Sequence, residues 1–87
     1  MITELEQKQL KTLFRGHYTE DVLKILNSQQ IRNRNGHPHN AQYVRMVFQG
    51  IRQNADIEGV IWQLAMKRKQ ELEWKQKQKI ELFNSTP

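Results

Sequence analysis

Between Val22 and Ala55 the chain carries Lys24, Arg32, Arg34, Arg45, Arg52, His37 and His39 but no aspartate or glutamate; all nine acidic residues lie outside this stretch. Cations left unopposed along so much of a chain suit a polyanion, because each one seated on a phosphate releases a condensed counterion. Arginine adds geometry to that charge, since its planar guanidinium donates in pairs to a guanine edge or to phosphate oxygens. Glutamine can pair with adenine in the same bidentate way, and a methionine can lie against a thymine methyl. Gln42, Arg45, Met46 and Gln49 supply these side-chain types at a spacing that only a helix would gather on one face.

Such a helix is what the neighbouring residues predict. Val44, Val47 and Phe48 stand at i, i+3 and i+4, and if they face inward, a step of about 100° per residue turns Gln42, Arg45, Met46 and Gln49 outward. Tyr43 falls between the faces, where its ring can pack while its hydroxyl reaches a phosphate. Asn40 is a good helix cap, and the N–H groups behind it suit a phosphate as well. Arg32 and Arg34 precede the helix and Arg52 follows it, bracketing the outward face with charge. The expected contact set for double-stranded DNA is therefore Arg32, Arg34, Asn40, Gln42, Tyr43, Arg45, Gln49 and Arg52.

The elements that must position this helix are also readable. Leu5, Leu10, Leu13 and Phe14 predict a first helix over Glu4 to Arg15, with Gly16 as its stop. Thr19 is placed to cap a second, with Glu20 and Asp21 in its first turn and Val22, Ile25 and Leu26 forming its apolar stripe to about Gln29. From Ile31 to His39 the periodicity breaks, and Asn33, Asn35, Gly36 and Pro38 predict a connector, with Asn35-Gly36 able to make a tight hairpin turn between two very short extended pieces. Gly50 ends the third helix. Asn54 caps a fourth, in which Ile57, Ile61, Leu64 and Ala65 face inward. Beyond Met66 the sequence turns to Lys, Gln and Glu, strong helix-forming material with little to bury, and should continue that helix to a frayed end with residues 84–87 disordered. The expected fold is all-α: a small four-helix domain over residues 1–66 containing a helix-turn-helix with an extended connector, and a long C-terminal helix whose basic extension spans 67–87.

The segment from Leu26 to Phe48 resembles the helix-turn-helix stretch of large serine recombinases, in which a Leu-Asn helix end leads through Gly-Ile and a basic connector to a capped helix containing Val-Arg. Leu26-Asn27, Ile31, Arg32, Gly36, Asn40, Val44 and Arg45 match that pattern; Gln30 stands where the glycine is usual, and His37-Pro38-His39 replaces a basic-aromatic pair. The following Val44-x-x-Val47-x-x-Gly50-x-Arg52 is similar to phage-repressor-like helix-turn-helix domains. The two matches cover about the middle half of the chain. They imply that the third helix is the recognition helix, that Gln42, Arg45 and Gln49 read bases, and that Arg52 touches the backbone. No counterpart of the recombinase catalytic domain lies in these residues, so the resemblance implies a binding module of phage or bacterial regulatory type.

Other chemistry is poorly supplied. With 87 residues, 14 lysines and arginines and no cysteine, the chain has a small core and can form neither a disulfide nor a thiolate zinc site. His37-Pro38-His39 with His17 would make a metal site without cysteine, and no aspartate or glutamate lies near the His37/His39 pair in sequence to complete it; the histidines fit better in a solvated loop beside a polyanion. Ser28 and Ser85 have no nucleophile motif, and the four glycines form no phosphate-cradling cluster, so no enzyme, cofactor or small-molecule ligand is expected. No stretch approaches the ~20 apolar residues of a membrane span and no basic leader opens the chain; a cytoplasmic, nucleoid-associated protein is expected. Trp62 should pack at the edge of the core and Trp74 lie along an exposed helix with its ring partly covered; alternatively the two tryptophans form the seam of a homodimer, which Leu72, Ile80, Leu82 and Phe83 could join. Arg68, Lys75 and Lys79 interrupt any heptad there, favouring a solvated basic helix. A second function class stays open at this stage: a small adaptor or inhibitor that docks an acidic protein through the same basic surface. RNA is a third, with only Tyr43 well placed to stack on single-stranded bases.

Overall fold

A computed structural model describes residues 1–84, with side chains through Leu82. Four helices follow in order, α1 (Glu4–Phe14), α2 (Thr19–Ser28), α3 (Ala41–Phe48) and α4 (Ala55–Asn84), and no strand occurs among the described residues. The chain is thus a small all-α domain with a long C-terminal helix.

The amphipathic stripes turn inward as their spacing requires, except that Leu5, expected on the stripe of α1, is exposed because that stripe meets the core only from Leu10 onward. Leu10 and Phe14 of α1, Val22 and Leu26 of α2, Val44, Val47 and Phe48 of α3, and Ile57, Val60, Ile61, Leu64 and Ala65 of α4 make one core, joined by Ile2 ahead of α1. Full burial of each large aliphatic or aromatic side chain contributes about 1.5–3 kcal/mol. Helix α4 is the platform: α1, α2 and α3 all pack on its first half. At the open end of the core Tyr18 stacks between two phenylalanines, its ring centroid 5.3 Å from Phe14 and 4.6 Å from Phe48. Arg68 then closes this end. Its guanidinium lies over the Phe14 ring, donates to the Phe14 carbonyl oxygen and pairs with Asp21 at the start of α2. Arg68, expected within a solvated tail, is in fact a tie between α4, α1 and α2. From Lys69 to Leu82 every side chain of α4 is exposed.

Caps decide where the helices begin. Thr3 opens α1 with a reciprocal box: its hydroxyl accepts from the Glu6 N–H, and its own N–H donates to the Glu6 carboxylate. Those bonds from Thr3 hold the Glu6 carboxyl below its ordinary value. Asn54 caps α4 by accepting from the Ile57 N–H at 3.1 Å. The expected Thr19 cap does not form. Thr19 is already the first helical residue and Tyr18 precedes it with no side-chain cap bond, because Tyr18 is committed to the aromatic stack.

Left-handed residues decide where they end. Helix α1 stops at Phe14, with Arg15 at φ 51° and Gly16 at φ 86° turning the chain away. At the end of α2 the Ile31 N–H reaches back to the Leu26 carbonyl and the Gln30 N–H to Asn27, which forces Gln30 to φ 58°. The same closure follows α3, where the Ile51 N–H bonds the Met46 carbonyl and Gly50 takes φ 78°. Only glycine suits that last position on two counts, since a Cβ at Gly50 would also meet the Ile2 carbonyl oxygen at 3.0 Å.

Gln30 is exposed and carries a Cβ where glycine is cheaper. Gln30→Gly should therefore stabilise the fold by about 0.5–1 kcal/mol, after the greater chain entropy of glycine is allowed for. That corresponds to a thermal midpoint raised by roughly 2–8 °C for a domain of this size. A lowered midpoint in a calorimetric melt would show that the Gln30 side chain contributes a contact of its own.

Candidate nucleic-acid interface

The connector between α2 and α3 forms a hairpin-like loop, though not the two-residue turn expected at Asn35-Gly36. The Gly36 N–H donates to the Asn33 carbonyl at 3.0 Å and the Asn33 N–H to the His37 carbonyl at 2.9 Å, leaving a three-residue loop of Arg34, Asn35 and Gly36. Asn35 does not take the positive φ that a two-residue Asn-Gly turn requires, and only Gly36 is left-handed, at φ 77°. The cause is Asn33, whose side-chain oxygen accepts from both the Asn35 and His37 N–H groups and fixes the turn one residue earlier. Arg34 sits at the tip. Arg32 is steadied at its base by donating from Nη1 to the Asn27 side-chain oxygen at 3.0 Å.

This loop folds over the start of α3. Asn40 caps the helix as expected, accepting from the Tyr43 N–H at 2.8 Å. The His39 ring stacks on Tyr43 with centroids 5.6 Å apart, and Tyr43 is half-buried against the core. Arg32, Arg34, His39, Asn40 and Tyr43 line one concavity of about 600 Å³, whose far wall is Gln53, Asn54 and Asp56 at the start of α4. Four of the eight expected residues are thereby brought together.

The outward face of α3 continues from there. Gln42, Arg45 and Gln49 are exposed, while Val44, Val47 and Phe48 are buried. Met46 departs from expectation: it is half-buried, because the returning chain at Ile51 and Arg52 closes onto its carbonyl. Burial raises the Tyr18 hydroxyl above its ordinary value, and the positive charge of Arg45 partly opposes that rise. Gln49 lies at the other end of α3 in a second concavity, of about 350 Å³, with Lys11, Phe14, Arg15, Gly16, Tyr18 and Phe48. Arg52 is exposed past the end of α3 and lines neither concavity.

Lys11 and Arg15 were not in the expected set. Their only sequence signal is a pair of cations one helical turn apart just before Gly16, which says nothing about α3 until the chain has folded. Among the described residues the sole Lys or Arg paired with a carboxylate is Arg68, and the side chains of Arg34, Gln42, Arg45, Gln49 and Arg52 make no hydrogen bond or ion pair. The surface around α3 thus presents polar and cationic side chains without protein partners. No group of three or more His, Asp or Glu that could hold a metal occurs among the described residues, and no helix there is long and apolar enough to cross a membrane.

In comparisons with known proteins, no family model, no curated protein and no solved structure matches the chain.

Asn40 has a structural duty separable from any ligand. Asn40→Ala should lower stability by about 1 kcal/mol in a denaturant melt through loss of the cap, while Asn40→Asp, which keeps an acceptor, should restore it. Equal stability of all three would mean that α3 begins without help from this side chain.

Proposed function

We propose that this chain is a sequence-specific double-stranded DNA-binding module of phage or bacterial regulatory type, acting in the nucleoid and not as an enzyme. The observation that carries the reading is the exposed face of α3. Gln42, Arg45 and Gln49 stand free on a helix whose opposite face is locked in the core, with Arg32 and Arg34 at one end and Arg52 past the other. On this reading α3 enters the major groove, where Arg45 donates to guanine and the glutamines pair with adenine. Arg32, Arg34 and Arg52 hold phosphates, Asn40 and the first N–H groups of α3 face another, and Tyr43 reaches the backbone at the rim. The net charge of +5 supplies long-range attraction to the duplex. Two copies on a palindrome would read half-sites about one DNA turn apart.

Base-reading and backbone-holding residues separate by experiment. With a bound duplex in hand, Arg45→Ala should relax base preference at one position, costing about 1–3 kcal/mol of discrimination there. Arg52→Ala should instead weaken all sequences alike and reduce the slope of log affinity against log salt by about 0.9. If neither variant changes duplex affinity and all duplex binding is gone at physiological salt, the basic face serves an acidic protein partner instead.

A further inference from the structure

We propose that Lys11 and Arg15, at the end of α1, form a second phosphate-holding edge on the side of α3 opposite Arg32 and Arg34, so that a duplex is gripped across the helix from both ends. This rests on the duplex reading of α3 and extends it to an element outside the helix-turn-helix.

The first support is placement. Lys11 and Arg15 share a concavity with Gln49, the last outward residue of α3, and no carboxylate lines it. The hairpin cations share the other concavity with Asn40 and Tyr43 at the first turn of α3. The first concavity reaches Tyr43 and the second begins at Phe48, so one turn of α3, roughly 6 Å at ~1.5 Å per residue, separates them. Cations therefore flank the outward face of α3 at its first turn and at its last, where phosphates on either side of a contacted base would pass.

A second support is availability. Lys11 and Arg15 are exposed and neither side chain has a hydrogen bond or ion pair among the described residues. The rings of Phe14, Tyr18 and Phe48 floor the concavity, an apolar surface suited to deoxyribose lying between two phosphates.

The third is backbone strain. Arg15 is held at φ 51° and is followed by Gly16 at φ 86°, so the chain reverses through two left-handed residues, of which only the second is a glycine. Glycine fits the first position more easily, and the arginine side chain makes no hydrogen bond or ion pair within the described protein to offset its strain. What the arginine adds there is an outward positive charge.

The test separates charge from fold. Wild type, Arg15→Gly, Arg15→Lys, Lys11→Gln and the Lys11→Gln/Arg15→Gly double variant, all as the full chain, are titrated with a labelled random-sequence duplex from low to physiological salt. Thermal midpoints are recorded in parallel, and Arg34→Ala serves as the comparison at the other edge. Arg15→Gly should keep or raise the midpoint while weakening the duplex several-fold. The double variant should lose roughly tenfold or more at moderate salt and flatten the log–log salt slope by about 1.8, and Arg15→Lys should retain the wild-type slope. If the double variant keeps wild-type affinity and slope while Arg34→Ala weakens binding, the α1 edge is overturned and the duplex reading stands. If the wild type shows no salt-dependent duplex binding, both fall together.

Discussion

Helix α3 has only eight residues, too few to persist in water without tertiary packing, so everything on its outer face depends on the docking of its inner one. Val44, Val47 and Phe48 are buried against α2 and α4, and Phe48 stacks on Tyr18, which stacks in turn on Phe14. Arg68 covers the Phe14 ring and pairs with Asp21, so the far half of this contact is held by a residue from the middle of α4. The two ends of α3 are closed separately, by the Asn40 side chain and by the left-handed Gly50, where a Cβ would crowd the Ile2 carbonyl oxygen at 3.0 Å. Turning α3 by a single residue would, in one sense, bury Arg45 without a partner and expose Val47 and, in the other, expose Phe48, each of them costly. The identity of the outward set Gln42, Arg45 and Gln49 is thus a consequence of core packing.

Charge segregation has a structural cause on the acidic side as well. Glu4 and Glu6 lie in the first turn of α1, Glu20 and Asp21 in that of α2, and Asp56 and Glu58 in that of α4, each where the helix dipole favours an anion. The first turn of α3 has none. Its place is taken by a loop that brings Arg32, Arg34 and His39 over the helix start, so the one helix N-terminus without its own carboxylates is the one surrounded by cations. Asp56 forms the opposite wall of that concavity and limits how far an anion could slide toward α4.

Much of this was legible in the sequence because it depends on local chemistry. The stripes of α1 to α4, the Asn40 and Asn54 caps and the stop at Gly50 follow from spacing and from short polar side chains before apolar runs. What was not legible depends on competition or on tertiary contact. The turn shifted because Asn33 accepts from two N–H groups, a bond pattern that the pair Asn35-Gly36 does not announce. Thr19 has no capping role because α2 already begins with it, and the cap position falls to Tyr18, whose ring stacks on nearby Phe14 and on the distant Phe48. Gln30 adopts the left-handed conformation that its chemistry disfavours, since the bond from Ile31 back to Leu26 closes α2 regardless. Lys11 and Arg15 reach the α3 surface only through packing, and Arg68 looked like one of several solvated cations. Of the expected C-terminal disorder, Asn84 is instead the last residue of α4, and residues 85–87 lie outside the described residues.

The most direct measurement is selection from a randomised duplex library on the purified full chain at physiological salt, followed by sequencing of the enriched pool. A base-reading α3 predicts one motif, bound well above random duplex, with guanine among the fixed positions that Arg45 would contact. Recovery of no motif, with binding that collapses as salt rises, would contradict sequence reading by α3 and reduce the basic surface to a generic electrostatic one.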